Sequence, residues 1–316
     1  MRVNFIDVQG IKISKLIMGS DYFHPDEMER VSHLLDTYLS LGGNVIDTAY
    51  VYRGGNSEKA IGLWMAERRN RDQVRIFTKG AHHDAHGPRV NAKAIADDLS
   101  ESLERLQTDH ADLYALHRDD PAVEVGPIVE ALNQELEAGR FFAFGASNWT
   151  HPRLAEANRY AESHGLKGFS FSSPNLSLAK AIEPYWANCV SADRETLAWH
   201  QRTQLPLLSW SSQARGFFTG RYSPEDKSNT DLVRVFYNDD NWERYRRAAQ
   251  LAKEKGMSTI QIALAYVLNQ PFPSAAIIGP ETDTEMVSCR DGAEIQLTSE
   301  EVAWLDLAVP ELRAHR

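Results

Sequence analysis

Three residues able to carry charge or exchange a proton close apolar runs, and a fourth follows nearby. Asp47 ends Asn44-Val45-Ile46, Lys79 ends Val74–Thr78, His117 ends Asp112–Leu116, and Tyr52 lies just beyond Asp47. Each alone has a plain explanation. A lysine at a strand end snorkels to water, an aspartate caps a turn, a histidine is satisfied in the core and a tyrosine packs. Together they make chemical sense. A tyrosine acting as general acid must come down from about 10 toward the working pH. That change corresponds to about 3–4 kcal/mol, and one ammonium at ~4 Å, with an effective dielectric of ~20, supplies about 4 kcal/mol. Lys79 is thus expected to tune Tyr52, Asp47 to hold Lys79 charged, and His117 to polarise a carbonyl by a hydrogen bond. The four describe protonation of an oxygen while a carbonyl is reduced. None of them supplies a hydride, so the chemistry requires a cofactor.

The elements that must position them alternate regularly. Apolar runs at 15–19, 44–47, 74–79, 112–117, 141–147, 168–173, 206–210 and 275–279 predict eight strands. Amphipathic segments at 26–41, 57–69, 91–107, 124–139, 151–164, 193–203, 240–255 and 258–269 predict helices, with caps at Asn56-Ser57 and Ser258. Such βαβ repetition predicts a parallel sheet, and eight strands in this length fit a closed (β/α)8 TIM barrel. In that fold chemistry sits at the C-terminal strand ends, and neighbouring ends lie about 5 Å apart. At the N-terminus, VNFIDVQGIKIS predicts a β-hairpin turning at Gln9-Gly10 and capping the barrel floor. The Gly42-Gly43 pair is expected to end the first helix. The longest irregular stretch, 211–238, has the length of a lid or binding loop. With no linker or low-complexity tract, the chain reads as a single domain, 1–316.

Composition excludes several classes. The formal net charge of −10 argues against nucleic acid or an anionic membrane as partner. Cys189 and Cys289 form no CxxC pair, the N-terminus lacks the apolar core of a signal peptide, and no run approaches a membrane span. A cytoplasmic setting is expected. A Rossmann domain would need G-x-G-x-x-G after its first strand, and MGSDYFHP stands there.

GGNVIDTAYVYRGGNSEKAIG resembles the signature of the aldo/keto reductase superfamily, in which D-T-A-x-x-Y precedes G-x-S-E. The resemblance continues through Thr78-Lys79, DLYALHRDD, GRFFAFGASNW and LLSWSSQARGFFTG, in the family's order. It implies that Asp47, Tyr52, Lys79 and His117 are the catalytic set, with Tyr52 as proton donor to an aldehyde or ketone. It implies NADPH or NADH as cofactor, with Ser147 and Asn148 on the nicotinamide carboxamide and Trp210 stacked on the ring. Ser211, Arg215 and Gly216 would line the pyrophosphate, and Gly279 the end of the eighth strand.

The chain departs from the family in two places. The glutamine usual in strand six has no counterpart in FSFSSPNLSL, where Phe171 or Ser172 falls, and Ser172 could replace it as a hydrogen-bonding group. After strand eight, Glu281, Glu285 and Cys289 stand where relatives often carry residues that hold the adenosine 2′-phosphate. A short helix opening at Thr282 or Asp283 would bring the carboxylates there, repelling a phosphate but accepting hydrogen bonds from ribose hydroxyls. NADPH preference should therefore weaken, unless Arg290 or Arg215 offsets the charge. Tyr22, His82, Arg118 and Asp119 are candidates for the substrate pocket, and Asp119 and Asp120 among histidines and aromatics suggest a sugar-like carbonyl. The histidines at 82, 83 and 86 lack metal-site spacing. The alternative to an enzyme is a cofactor-binding sensor on the same barrel, which would be expected to have lost one of the four catalytic residues.

Overall fold

Gln9 and Gly10 both take left-handed backbone angles, with φ of 54° and 84°, and so form the tight turn between β1 (Phe5–Val8) and β2 (Ile11–Ser14). The structure, a computed structural model, describes residues 5–312, so Val3 and Asn4 of the predicted hairpin lie outside the described residues. The two strands pair antiparallel, and Ile6, Val8 and Ile13 pack into the cluster that fills the barrel interior. The hairpin therefore closes the floor as expected.

The barrel strands are β3 (Leu16–Gly19), β4 (Val45–Asp47), β5 (Arg75–Gly80), β6 (Ala111–Leu116), β7 (Phe141–Ser147), β8 (Ser172–Ser173), β9 (Leu207–Ser209) and β10 (Ser274–Ile278). They are parallel neighbours in chain order, and β10 closes on β3. All eight correspond to predicted runs. The sixth is shorter than expected: only Ser172 and Ser173 keep the regular ladder, while Ser170 reaches Phe144 through both its N–H and its hydroxyl.

The helices are α1 (Met28–Ser40), α2 (Asn56–Arg68), α3 (Ala92–Leu106), α4 (Val125–Glu137), α5 (His151–Ser163), α6 (Arg194–Thr203), α7 (Thr230–Phe236), α8 (Asp239–Lys255), α9 (Thr259–Leu268), α10 (Asp283–Glu294) and α11 (Ser299–Leu305). Two of them fall outside the predicted segments. In the stretch read as irregular, Asn229 caps α7, which buries Leu232, Val235 and Phe236. At the C-terminal end Thr298 and Glu301 form a reciprocal capping box on α11. The box at Ser258 forms as expected, but α2 starts from Gly55, and Ser57 turns inward instead of capping.

Tyr38 fastens α1 to the strand that carries Asp47. Its buried hydroxyl accepts from the Val45 N–H at 3.0 Å and lies 2.8 and 2.9 Å from the Leu16 and Val45 carbonyls. Gly42 (φ 88°) turns the chain out of α1, and a Cβ on Gly43 would stand 2.1 Å from the Tyr38 ring. The glycine pair thus ends the helix and makes room for its anchor. Tyr38→Phe leaves a buried N–H without its partner and is expected to cost about 1–3 kcal/mol. A urea titration should give a lower midpoint with unchanged far-UV circular dichroism.

Candidate active site

Alternation along the strands decides which side chains face the cavity. Ile17, Val45, Phe77, Ala115, Phe171, Leu208 and Ile277 fill the barrel interior with one apolar layer. Two residues further along the same strands come Asp47, Lys79, His117, Ser173, Trp210 and Gly279, which form the layer above it at the C-terminal mouth. Ser147, at the end of β7, joins them. The period corrects one expectation. Phe171 packs edge-on to Phe77 inside the barrel, so Ser172 takes the outward register and Ser173 the inward one. The Ser173 hydroxyl is buried with no partner.

The Lys79 ammonium lies at the centre of this layer. Its Nζ donates to Asp47 Oδ1 at 2.5 Å, to the Thr48 carbonyl at 2.9 Å and to Tyr52 Oη at 3.2 Å. Those contacts match its three N–H donors. Tyr52 therefore accepts from Lys79, and its own proton stays available to the cavity. Lys79 and Asp47 are nearly inaccessible, with side-chain exposures of 2% and 3%. Burial raises Asp47 to about 6 against the opposing pull of Lys79, and burial lowers Lys79.

Tyr52 departs from expectation. Burial first, then Asp47 and Asp21, hold its pKa well above the usual phenol value, and Arg118 is the cation pulling the other way. Burial outweighs the ammonium, and Asp47, 2.5 Å from Lys79, acts in the same direction as burial. Tyr52 is thus held as a protonated phenol.

A buried network fixes these groups from behind. Ser57 Oγ lies 2.7 Å from Ser20 Oγ and 2.9 Å from Thr48 Oγ1, and Ser20 donates to the Asp47 carbonyl. Glu58, fully buried, accepts from Thr78 Oγ1 at 2.7 Å and pairs with Arg105, which donates to the Tyr50 carbonyl. Ser57 and Glu58 thus pin both strands that supply the Lys79–Asp47 pair. Tyr52 leads a tight turn in which Arg53, Gly54 and Gly55 all have positive φ. A Cβ on Gly55 would stand 2.5 Å from the Arg105 guanidinium.

His117 stands beside Tyr52, ring centroids 5.7 Å apart. Burial, then the charges of Lys79 and Arg118, hold it far below its usual pKa, so it is a neutral imidazole. His82 lies 4.8 Å from His117 and is likewise held low, first by burial. The Arg118 guanidinium, donating from Nη1 to the His117 carbonyl, lies near enough to act on Tyr52, His82, His83 and His117. Asp119 does not join them: its carboxylate lies 3.3 Å from Arg153 on α5. Asp120 accepts the Ala122 N–H in a turn before α4. Tyr22 stands elsewhere too, donating to the Pro280 carbonyl at 2.5 Å beside Gly279. Two residues that the sequence reading did not place here act on this group of side chains, Asp21 after β3 on Asp47 and Tyr52, and the buried Cys189 on Tyr52.

The other half of the mouth is built on strained backbone. Asn148, Ser211, Ala214 and Arg215 have positive φ of 62°, 47°, 49° and 50°, strain that non-glycine residues tolerate only where surrounding structure imposes it. Gly216 follows at 86°. Trp210 Nε1 is buried without a partner. Ser147 donates to the Ser173 carbonyl. Asn148 spends both amide hydrogens inside the protein, on the His117 carbonyl and Ser147 Oγ, and accepts from the Val190 N–H. It braces the site more than it faces a ligand. At the far end Thr282 caps α10, as expected. Glu281 pairs with Arg30 at 3.0 Å, and Glu285 accepts the Glu281 N–H and lies 3.6 Å from Arg221. The cations offsetting these carboxylates are Arg30 and Arg221. Arg290 pairs with its neighbour Asp291, and Arg215 lies over the Tyr185 and Trp186 rings. A groove of about 850 Å³ lies at the opposite, hairpin end, lined by Lys12, Arg69 and His110 among others, away from all of these groups.

The sequence matches the profile of the Aldo/keto reductase family over residues 15–309. The chain belongs to the aldo/keto reductase family. It is 28% identical to norsolorinic acid reductase stcV of Emericella nidulans, across 95% of this chain and 79% of that protein. It is 27% identical to the uncharacterized oxidoreductase YrpG of Bacillus subtilis, across 98% and 96% of the two chains. With the putative aryl-alcohol dehydrogenase AAD14 of Saccharomyces cerevisiae it shares 26% identity, across 95% and 84%. Family membership and these oxidoreductase relatives support an oxidoreductase.

In this aldo/keto reductase the Lys79–Asp47 pair should oppose folding while serving the site. Breaking a buried pair leaves one charge uncompensated and costs about 3–5 kcal/mol, whereas replacing both partners with apolar residues is often neutral or stabilising. Asp47 already rises on folding, from 3.8 to about 6, and losing Lys79 raises it further. An acid whose pKa rises on folding favours the fold at low pH and opposes it as pH climbs through the folded value. Lys79→Met is therefore expected to be strongly destabilised at pH 8 and distinctly less so at pH 5. Asp47→Leu/Lys79→Met should regain the parent's stability at both. Denaturant titrations at the two pH values check this.

Proposed function

We propose that this protein is an NAD(P)H-dependent carbonyl reductase in which Tyr52 is the proton donor to an aldehyde or ketone. The observation that carries the proposal is Lys79 Nζ bound to both Asp47 and Tyr52 at the barrel mouth. Ser147, Ser173, Trp210, Ser211, Arg215 and Gly216 are the residues that would hold the nicotinamide half of the cofactor, with Asn148 braced behind Ser147. Gly279, Glu281 and Glu285 would meet the adenosine half, with Tyr22 packed beside Gly279. The unpartnered Trp210 Nε1 and Ser173 hydroxyl, and the strained turn from Ser211 to Gly216, support that fit. A bound reduced nicotinamide supplies the hydride.

The chain's own residues handle the proton. The neutral His117 donates one hydrogen bond to the carbonyl oxygen and so orients it. As that oxygen gains electron density it becomes basic enough to take the proton from Tyr52, despite the raised phenol pKa. Lys79, 3.2 Å from Tyr52 Oη, stabilises the phenolate left behind, and Asp47 keeps Lys79 protonated. A sugar-like substrate drew its support from Asp119 and Asp120, which are engaged by Arg153 and by a turn. The remaining rim of histidines and tryptophans suits a flat aromatic carbonyl at least as well.

Tyr52→Phe should lower kcat by about 10²-fold or more and leave the cofactor dissociation constant unchanged. Following nicotinamide absorbance over a panel of aromatic aldehydes, ketones and keto-sugars tests this, and near-normal turnover by the variant would sink the assignment.

For the cofactor, NADPH preference is expected to be weak, because Glu281 and Glu285 hold Arg30 and Arg221 that would otherwise meet a 2′-phosphate. A like-charge pair at ~5 Å and an effective dielectric of ~40 costs roughly 1.5 kcal/mol, about tenfold in affinity. Glu281→Gln, which releases Arg30 from its closer carboxylate and leaves Glu27 at 3.7 Å, should tighten NADPH relative to NADH by up to about that factor. Dissociation constants for both cofactors from tryptophan fluorescence decide it, and equal values in variant and parent would show that Glu281 does not face the ribose.

A further inference from the structure

Arg118 is a buried cation without a carboxylate. Its side chain follows the catalytic His117, and the residue is 7% exposed. Nη1 donates to the His117 carbonyl at 2.9 Å, and Nε is buried with no partner. Among the described residues no Asp or Glu pairs with it, and Asp119, the next residue along, is turned to Arg153. Burial first lowers its pKa, and Cys189 and Tyr52 pull the other way. A guanidinium offers five donors in a rigid fork, and leaving such a charge buried and unpaired is unfavourable unless something arrives to match it. The rest of the cavity does not need that charge. Lys79 is already matched by Asp47, and burial holds His82 and His117 neutral. Asp21, exposed, acts on Asp47, Tyr52 and Lys79 and makes no ion pair with Arg118, so the guanidinium is the charge in the cavity that no carboxylate pairs directly.

We propose that Arg118 binds a carboxylate on the substrate, so that the preferred substrates are carbonyl compounds bearing a carboxylate group. The proposal rests on the carbonyl reductase reading and adds the substrate class to it. A single free cation matches a monoanion, whereas a phosphate dianion would keep one charge uncompensated in a buried site. The fork geometry suits a planar carboxylate, which can take two parallel N–H bonds.

The experiment compares 4-carboxybenzaldehyde with its methyl ester, which has the same carbonyl and nearly the same shape without the charge, and with 4-formylphenyl phosphate. In the parent, kcat/KM is expected to be at least tenfold higher for the acid than for the ester or the phosphate. Arg118→Gln should bring the acid-to-ester ratio to about one, and Arg118→Lys, which keeps the charge and loses the fork, should retain part of it. Benzoate binding followed by tryptophan fluorescence gives a readout free of turnover, and its dissociation constant should weaken at least tenfold in Arg118→Gln. Equal kcat/KM for acid and ester in the parent, or benzoate binding indifferent to Arg118, would overturn the proposal and leave the carbonyl reductase reading intact. A preference for the phosphate would overturn the carboxylate assignment. No turnover of any aldehyde, with benzoate binding still dependent on Arg118, would support the anion site and sink the catalytic reading instead. A ratio unchanged in Arg118→Gln, with only the pH profile moved, would make Arg118 a tuner of Tyr52 and overturn substrate binding.

Discussion

A buried ammonium and a buried carboxylate in contact are the constraint around which the mouth of this barrel is built. Taking both charges out of water costs more than their attraction returns, as the opposite displacements of Asp47 and Lys79 indicate. What makes the arrangement tolerable is complete use of the ammonium's donors, on Asp47, Thr48 and Tyr52. The same saturation fixes the orientation of the phenol. Tyr52 must accept from Lys79, so its proton has only the cavity to face.

Holding that geometry requires two adjacent strands to stay in register to within a fraction of an ångström. Ser20, Thr48 and Ser57 tie the end of β4 to α2 and β3, and Glu58 with Arg105 ties Thr78 and Tyr50 to the helices behind them. None of these groups meets the cavity chemistry directly. They are polar and buried because an apolar replacement would leave the strand ends free to shift, and a shift of about 1 Å at a reacting centre is costly.

Charge in the cavity is distributed with the same economy. Histidines held neutral by burial stand near Arg118, which has no carboxylate partner among the described residues, while Glu281 and Glu285 each have a cation or an N–H close by. Acidic residues thus restrain Arg30 and Arg221 on one side of the mouth, while Arg118 on the other meets none. That separation arises from which way Asp119 turns. Directed at Arg153, it leaves Arg118 without a carboxylate beside it.

Much of the molecule was legible in the residues alone. Eight apolar runs at regular spacing determine eight barrel strands, because parallel strands buried on both faces must be apolar. The period of two along them determines that Asp47, Lys79 and His117 share the mouth. The glycines at 10 and 42 mark turns that need positive φ. What only the tertiary structure decided depends on contacts between residues far apart in the chain. The short sixth strand puts Ser173 in the place expected for Ser172, because Phe171 must fill the barrel beneath it. The pKa of Tyr52 goes up and not down, because burial and Asp47 act together where a pairwise estimate saw only Lys79. The partners of Glu281 and Glu285 come from α1 and from the segment after β9, which no local pattern links to α10. Helix α11 was the exception among the misses: its capping box, Thr298 with Glu301, stands in the sequence. Spacing determines which residues reach the mouth; long-range packing decides their charge, their partners and the direction each one faces.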